Sequence, residues 1–294
     1  MKQTVTLIGN TPLYHIENTN IYVKLEKFNA GGSVKDRAVL WMLTKAMENG
    51  SIEPNSVLVE ATSGNTGIAL SMLGAVFGIP VIIFMPESMS VERRQLVKSY
   101  GAQLVLTPAT LGMQGAIDAM EEYKKEHANA KSLGQFENSD NVLAHYESTG
   151  KEILEQMDRV DIFVAGIGTG GTFSGVAKRL KEHNPNILCY AGEPETSAIL
   201  SGQKAGPHKI QGIGANFIPK NFDRELCDDI MLISSEEAIK ETVAFAKQTG
   251  ILVGISSGAN IALARRLAWR NPGKNIVTIA PDGGEKYLSM LEFD

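Results

Sequence analysis

Residues 57–87 read VLVEATSGNTGIALSMLGAVFGIPVIIFMPE, and the fold turns on how this stretch is divided. Between Glu60 and Glu87 lie 26 residues (87 − 60 − 1) without a charge, long enough to pass for a membrane span. Ser71, Gly74, Gly78 and Pro80 argue against that, and Gly78-Ile79-Pro80 is a turn signal. Before the turn, residues 65–77 are rich in Ala, Leu and Met and read as a helix. After it, Val81-Ile82-Ile83-Phe84-Met85 reads as a short strand of the continuous apolar kind that a parallel sheet buries on both faces. Helix plus strand is the expectation, with no membrane association.

The same punctuation extends outward. Apolar runs at 57–59, 81–85, 104–106, 162–165, 188–191 and 276–280 alternate with helical patterns at 34–47, 91–100, 113–127, 172–183, 236–247 and 259–269. Alternation of this kind implies βαβ units, hence an α/β protein of two lobes, each a mostly parallel sheet flanked by helices. Ligands of such folds bind at the carboxyl ends of strands. At roughly 150 residues per domain, 294 residues suggest two. The expected division is 1–147 and 148–294, with residues up to about 35 free to pack on the other lobe.

Composition narrows the function. Lys plus Arg is 28 and Asp plus Glu is 33, a formal net charge of −5, which excludes phosphate-backbone binding as the main role. Hydrophobic residues at 43 % and charged residues at 21 % describe a globular chain. Cys189 and Cys227 form no C-x-x-C pair, so a disulfide framework and a cysteine-ligated zinc are both unsupported. The N-terminus shows no secretory signal, and a reducing cytoplasm is expected. The histidines (15, 127, 145, 183 and 208) show no metal-ligand spacing, so no metal is expected.

Three strand-to-helix junctions carry Gly, Ser, Thr and Asn. Thr62-Ser63-Gly64-Asn65-Thr66 suits a carboxylate or phosphate, because free N–H groups and the helix dipole favour an anion there. The bland reading is that Ser63 or Asn65 caps the helix. Gly166, Gly168 and Gly171 satisfy G-x-G-x-x-G, with Glu193 placed 22 residues after Gly171, a formal dinucleotide fingerprint. Any phosphate cradled by a glycine turn asks for the same residues. Gly254-Ile255-Ser256-Ser257-Gly258 matches a hydrolase nucleophile elbow, but no histidine follows Ser256, and that reading fails. A fourth feature is Lys35 in Gly31-Gly32-Ser33-Val34-Lys35-Asp36-Arg37, where Ser33 and Asp36 resemble a shortened capping box that starts a helix at Val34. In a first turn the dipole disfavours an ammonium and favours the neutral, nucleophilic amine. The bland reading is a solvated lysine offset by Asp36.

At these residues the sequence resembles the cysteine synthase (O-acetylserine sulfhydrylase) family of fold-type II pyridoxal-phosphate enzymes, which also includes cystathionine β-synthase. The segments are LIGNTPL (7–13), KLEKFNAGGSVKDR (24–37), EATSGNTGIAL (60–70), MPESMSVERR (85–94), GIGTGGTFSG (166–175), GPHKIQGIGANFIP (206–219), GILVGISSGA (250–259) and GEKYLS (284–289). The resemblance implies pyridoxal 5'-phosphate in a cleft between the lobes, carried by Lys35 as a Schiff base. It implies that Gly168, Thr169, Gly170, Gly171 and Thr172 hold the phosphate. Asn65 would lie beside the phenolic oxygen and Ser256 at the pyridine nitrogen. Thr62, Ser63, Thr66 and Gln135 would bind the substrate's α-carboxylate.

The implied reaction is a β-replacement making L-cysteine from O-acetyl-L-serine and sulfide through an α-aminoacrylate, with Lys35 as general base. A hydroxyl cannot keep the pyridine nitrogen protonated as a carboxylate could, which favours β-elimination over transamination. The resemblance further implies a cytoplasmic homodimer, with a partner's C-terminal peptide as a candidate cleft ligand. The chain departs from the family at Asn138-Ser139-Asp140-Asn141-Val142, at Ser148-Thr149-Gly150-Lys151-Glu152, and at Asn216, which replaces a glycine near the active-site entrance. Those departures motivate a rival: β-elimination or β-replacement on L-cysteine or L-serine, releasing hydrogen sulfide or making a thioether such as lanthionine or cystathionine. A more distant alternative is an NAD-dependent oxidoreductase, resting on the glycine fingerprint and Glu193.

Overall fold

The computed structural model describes residues 2–62, 64–89 and 91–291. In chain order the elements are β1 (Leu13–His15), β2 (Ile21–Leu25), α1 (Lys35–Glu48), β3 (Val57–Ala61), α2 (Asn65–Phe77), β4 (Val81–Pro86), α3 (Val91–Ser99), β5 (Gln103–Thr107), α4 (Gly112–Glu126) and β6 (Ala130–Lys131). There follow α5 (Ser139–Ala144), a π-helical turn (His145–Gly150), α6 (Lys151–Gln156), β7 (Ile162–Gly166), α7 (Gly171–His183), β8 (Leu188–Pro194), β9 (Asp229–Ile233), α8 (Ser235–Thr249), α9 (Ile255–Arg270) and β10 (Ile276–Ala280). The chain divides into two compact units. The first comprises residues 1–8 and 35–135, the second residues 9–34 and 136–294.

The first unit carries a parallel sheet in the order β5-β4-β3-β6. Its central strands β3 and β4 are buried on both faces because helices cover both. Leu58 and Ile83 pack with Val39, Leu43 and Leu73 on one face, while their strand neighbours Val59 and Ile82 pack with Ala116 and Met120 on the other. The uncharged stretch that opens the sequence question is thus β3's end, α2 and β4. Gly78 ends α2 in the left-handed region (φ 74°), and every residue of β4 is buried. No described helix is long and apolar enough to cross a membrane.

The second unit carries a mixed sheet in the order β1-β2-β10-β7-β8-β9, with β1 antiparallel to β2 and the remaining pairs parallel. The same alternation builds its two cores. Ile162 and Val164 face Phe245 and Leu263, while Phe163 and Ala165 face Phe173 and Leu180. The helix α8 shows how local sequence sets an element: Ser234 accepts from the Glu237 N–H (3.0 Å), Glu236 and Glu237 occupy the first turn, and Gly250 ends it with φ 74°. Cys189 and Cys227 are free and buried, and burial pushes the Cys189 thiol up to about 12. An inert thiol follows.

Candidate active site

Both sheets deliver candidate residues at their carboxyl ends. In the first unit β3 runs into Thr62 and the start of α2. Gly64 holds the N-cap position and has no side chain to cap the helix, while Asn65 is the first residue of α2 itself. Thr62 accepts from the Gly64 N–H (3.2 Å), and its methyl lies 3.0 Å from where a Cβ on Gly67 would sit. Thr66 is buried and donates its hydroxyl proton to Gln135 Oε1 at 2.8 Å. Thr62, Thr66, Asn65 and Gln135 therefore share one end of this sheet; Ser63 lies outside the described residues. Lys35 is the first residue of α1, one later than the expected start at Val34, and is half-buried. The two residues before it are tied to the end of β10 in the second unit, through a bridge between Ser33 and Asp282 and a bond from the Val34 N–H to Pro281 O (2.8 Å).

Behind Gln135 stands a residue to which the sequence reading assigned no role. Gln135 Nε2 donates to Glu60 Oε1 (2.9 Å), and Ser132 donates to Glu60 Oε2 (3.2 Å). Burial pushes the Glu60 carboxyl up to about 7, against the lowering effects of Gln135, Ser132 and Lys124. A lone carboxylate at the end of an apolar strand was the available signal.

In the second unit β7 ends at Gly166 and the chain turns through Gly168–Thr172 into α7. The glycines are required by close backbone approach. A Cβ on Gly168 would lie 2.2 Å from Gly212 O, and one on Gly170 (φ 86°) would lie 2.6 Å from the Phe222 nitrogen. Asn141 Nδ2 donates to Thr169 Oγ1 (3.0 Å), leaving the Thr169 hydroxyl proton for another acceptor. His145 Nε2 meets Thr172 Oγ1 at 3.2 Å, and its Nδ1 meets Thr149 at 2.9 Å. Asn141, His145 and Thr149 thus support the loop from the very segment that departs from the family pattern.

Ser256 sits in the first turn of α9, with Gly254 at the N-cap. Its hydroxyl makes no hydrogen bond among the described residues, and lies 3.6 Å from a Cβ built on Gly212. Gly212 thereby links Ser256 to the Gly168 loop. Asn260, one turn on, accepts from the Gly166 N–H (2.7 Å) and donates to Ile279 O (2.8 Å), pinning α9 to β7 and β10. Asn216 is exposed with φ 61°, and its Oδ1 accepts from Ser197 (3.2 Å). Glu193 is buried, and its carboxylate accepts from the Leu200 N–H (2.8 Å), the Ser201 N–H (2.9 Å) and the Ser201 hydroxyl (2.5 Å).

Comparison with known proteins supplies the family. The chain belongs to the family of pyridoxal-phosphate dependent enzymes, which matches residues 5–282. It is 48 % identical over 299 aligned residues to a cysteine synthase from Staphylococcus aureus, covering 98 % of this chain and 96 % of the relative. The solved cysteine synthase of Entamoeba histolytica matches with a TM-score of 0.94 at 44 % identity, covering 99 % of this chain and 90 % of that one. A hydrogen sulfide-producing enzyme from Fusobacterium nucleatum matches with a TM-score of 0.93 at 44 % identity, covering 98 % and 100 %. The fold is that of the fold-type II pyridoxal-phosphate enzymes, and pyridoxal phosphate is the cofactor. The oxidoreductase alternative is overturned by this membership, and Glu193 spends its oxygens on the turn at 200–201, where a dinucleotide ribose would have needed them.

The residues present fit that cofactor's ends. At Gly168–Thr172 a helix start without a side-chain cap, a cradle that any Cβ would fill, and a threonine hydroxyl with a free proton suit a dianionic phosphate. A neutral hydroxyl, Ser256, stands beside that loop for a ring nitrogen.

Proposed function

We propose that the protein is a cysteine synthase-type enzyme that makes L-cysteine from O-acetyl-L-serine and sulfide by β-replacement. The observation that carries the class of reaction, elimination and replacement at Cβ in place of transamination, is the uncommitted Ser256 hydroxyl beside the glycine loop. A carboxylate there would hold a proton on a ring nitrogen, whereas a hydroxyl leaves it neutral and restrains the side reactions of a stronger electron sink.

When bound, pyridoxal phosphate supplies the sink for the electrons left at the substrate's Cα. Lys35 would anchor it through Nζ, Gly168–Thr172 would hold its phosphate, Asn65 would lie at its phenolic oxygen and Ser256 at its ring nitrogen. Thr62, Ser63, Thr66 and Gln135 would bind the substrate's α-carboxylate, with the start of α2 adding its favourable dipole. Once the substrate's amine takes its place and releases it, Lys35 Nζ takes the Cα proton as general base, and acetate departs from Cβ with its bonding electrons. Sulfide adds at Cβ, and Lys35 returns the proton to Cα.

The experiment supplies O-acetyl-L-serine plus sulfide in one cuvette and L-cysteine alone in another. Cysteine formation in the first, abolished in Lys35→Ala, supports the proposal. Turnover of L-cysteine alone, with hydrogen sulfide released, would replace it with the second reading, which the similarity to the Fusobacterium enzyme and the presence of Asn216 both favour. We infer that the protein acts as a cytoplasmic homodimer, and light scattering checks the dimer. A partner's C-terminal peptide ends in the same carboxylate as the substrate, so it is a candidate competitor for Thr62, Thr66 and Gln135. Competition by such a peptide against O-acetyl-L-serine tests it.

A further inference from the structure

Glu60, Gln135 and Thr66 form a hydrogen-bond chain with a direction. As the structure stands, Thr66 donates to Gln135 Oε1, and Gln135 Nε2 donates to Glu60 Oε1. Both Glu60 oxygens accept, since Ser132 donates to Oε2, which is the pattern of an ionised carboxylate. In this direction the proton of Thr66 is consumed inside the protein, and Thr66 has none to give a substrate carboxylate. A protonated Glu60 reverses the chain. Its hydroxyl donates to a flipped Gln135 Oε1, Gln135 Nε2 donates to Thr66 Oγ1, and the Thr66 proton turns toward the loop. All three residues are buried, so water does not relay between them.

We propose that Glu60 is a positioning residue for the substrate's α-carboxylate: its proton sets the direction of the Glu60–Gln135–Thr66 chain, and the carboxylate binds the direction in which Thr66 donates. Substrate binding then takes up a proton at Glu60. A second anion at the end of β3 would also oppose an ionised Glu60 electrostatically. The charges facing Glu60 do not cancel this. From α4 comes Lys124, itself paired with Glu121 at 2.9 Å; β6 offers the exposed Lys131; α2 and β4 carry no charged side chain. Burial holds the Glu60 carboxyl near neutrality, at about 7, where the switch operates. The proposal rests on the reading that Thr66 and Gln135 bind the carboxylate.

The test measures the affinity of the holoenzyme for L-alanine, which has no β-leaving group, by the change in cofactor absorbance from about pH 6 to about pH 8.5. Loss of the amino acid's own ammonium proton affects every variant alike, so ratios are compared. The dissociation constant of the unmodified enzyme relative to Glu60→Gln is expected to rise by about tenfold per pH unit above about pH 7, because a glutamine can donate at any pH. With isopropylamine, which lacks the carboxylate, the ratio stays flat. Ser132→Ala removes a donor to the Glu60 anion and is expected to move the onset of the rise to higher pH. A flat ratio for L-alanine overturns the proposal, as does an unmoved onset in Ser132→Ala should Glu60→Gln fail to fold. Because L-alanine binding needs no turnover, an enzyme that makes no cysteine yet shows the rise refutes only the activity assigned above.

Discussion

Asn216 holds φ 61°, a conformation in which a side chain with a β-branch meets its own carbonyl. Asparagine is one of few residues besides glycine that tolerate it, so its replacement of the family's glycine leaves the backbone path unchanged and adds only a polar group, bonded to Ser197. Asn216→Gly is therefore expected to leave stability within about 1 kcal/mol, whereas Asn216→Val costs about 1–2 kcal/mol in urea unfolding. At this scale the sequence was informative wherever local chemistry speaks for itself. The glycine turn, the serine at the start of α9 and the lysine at the start of α1 all lie in the local contexts that motif reading predicts. Glu60, Asn141 and His145 were not legible, because each acts on a partner at least 27 residues away in the chain, and no local pattern records such a pairing.

At the scale of elements, the turn from β7 into α7 is a place where two backbones meet without a side chain between them. Gly168→Ala puts a methyl 2.2 Å from Gly212 O, and neither backbone can rotate away as a side chain would. A stability loss of about 1–3 kcal/mol is expected, together with weaker retention of pyridoxal phosphate in equilibrium dialysis. Gly50→Ala, at a glycine with nothing within 4 Å of the new methyl, is the control for cofactor retention.

The end of β3 carries a pH signature of its own. Glu60 holds its proton more tightly folded than unfolded, its carboxyl rising from 4.5 to about 7. Below both values the proton is present in either state and nothing is lost. As pH rises through that window the unfolded chain ionises first, so stability falls, and above it the cost is complete. Glu60→Gln cannot ionise and escapes this. Its unfolding free energy relative to the parent is expected to grow by roughly 3 kcal/mol from about pH 4.5 to about pH 8 and then level off in urea titrations. Elements themselves were legible where apolar runs were long: β4, β7, β8 and β10 fall on them. The strand β2 escaped notice because it carries Lys24, and β6 because it is two residues long. The π-helical turn at His145–Gly150 hides a glycine where no helix is expected.

At the scale of the whole molecule, residues 9–34 join the second unit through the pairing of β2 with β10, and a buried ion pair fastens them there. Lys24 Nζ lies 2.7 Å from Glu152 and also donates to Thr11 O (2.6 Å) and Gln156 Oε1 (2.8 Å), with its side chain fully buried. Removing one partner leaves the other charge buried and uncompensated. Lys24→Met is expected to cost about 3–5 kcal/mol in urea unfolding, while Lys24→Met with Glu152→Leu recovers most of it. The sequence announced two units by length and strand count. It did not announce that an early segment belongs with a late one, because pairing between distant strands leaves no trace in either strand alone.

That same arm has a consequence for how the protein is made. The inner edge of β2 pairs with β10, from Ile21↔Ile276 to Ala280↔Leu25. A ribosome releases β2 long before its partner β10, which follows roughly 250 residues later in the chain. Until then the nascent chain holds an unpaired apolar strand edge, the kind of surface that chaperones bind and that seeds aggregation. The first unit, whose sheet lies wholly within residues 57–131, is complete long before. Termination between Lys131 and Ile276 therefore yields a chain with one finished sheet and one that cannot close, a natural substrate for quality-control proteolysis.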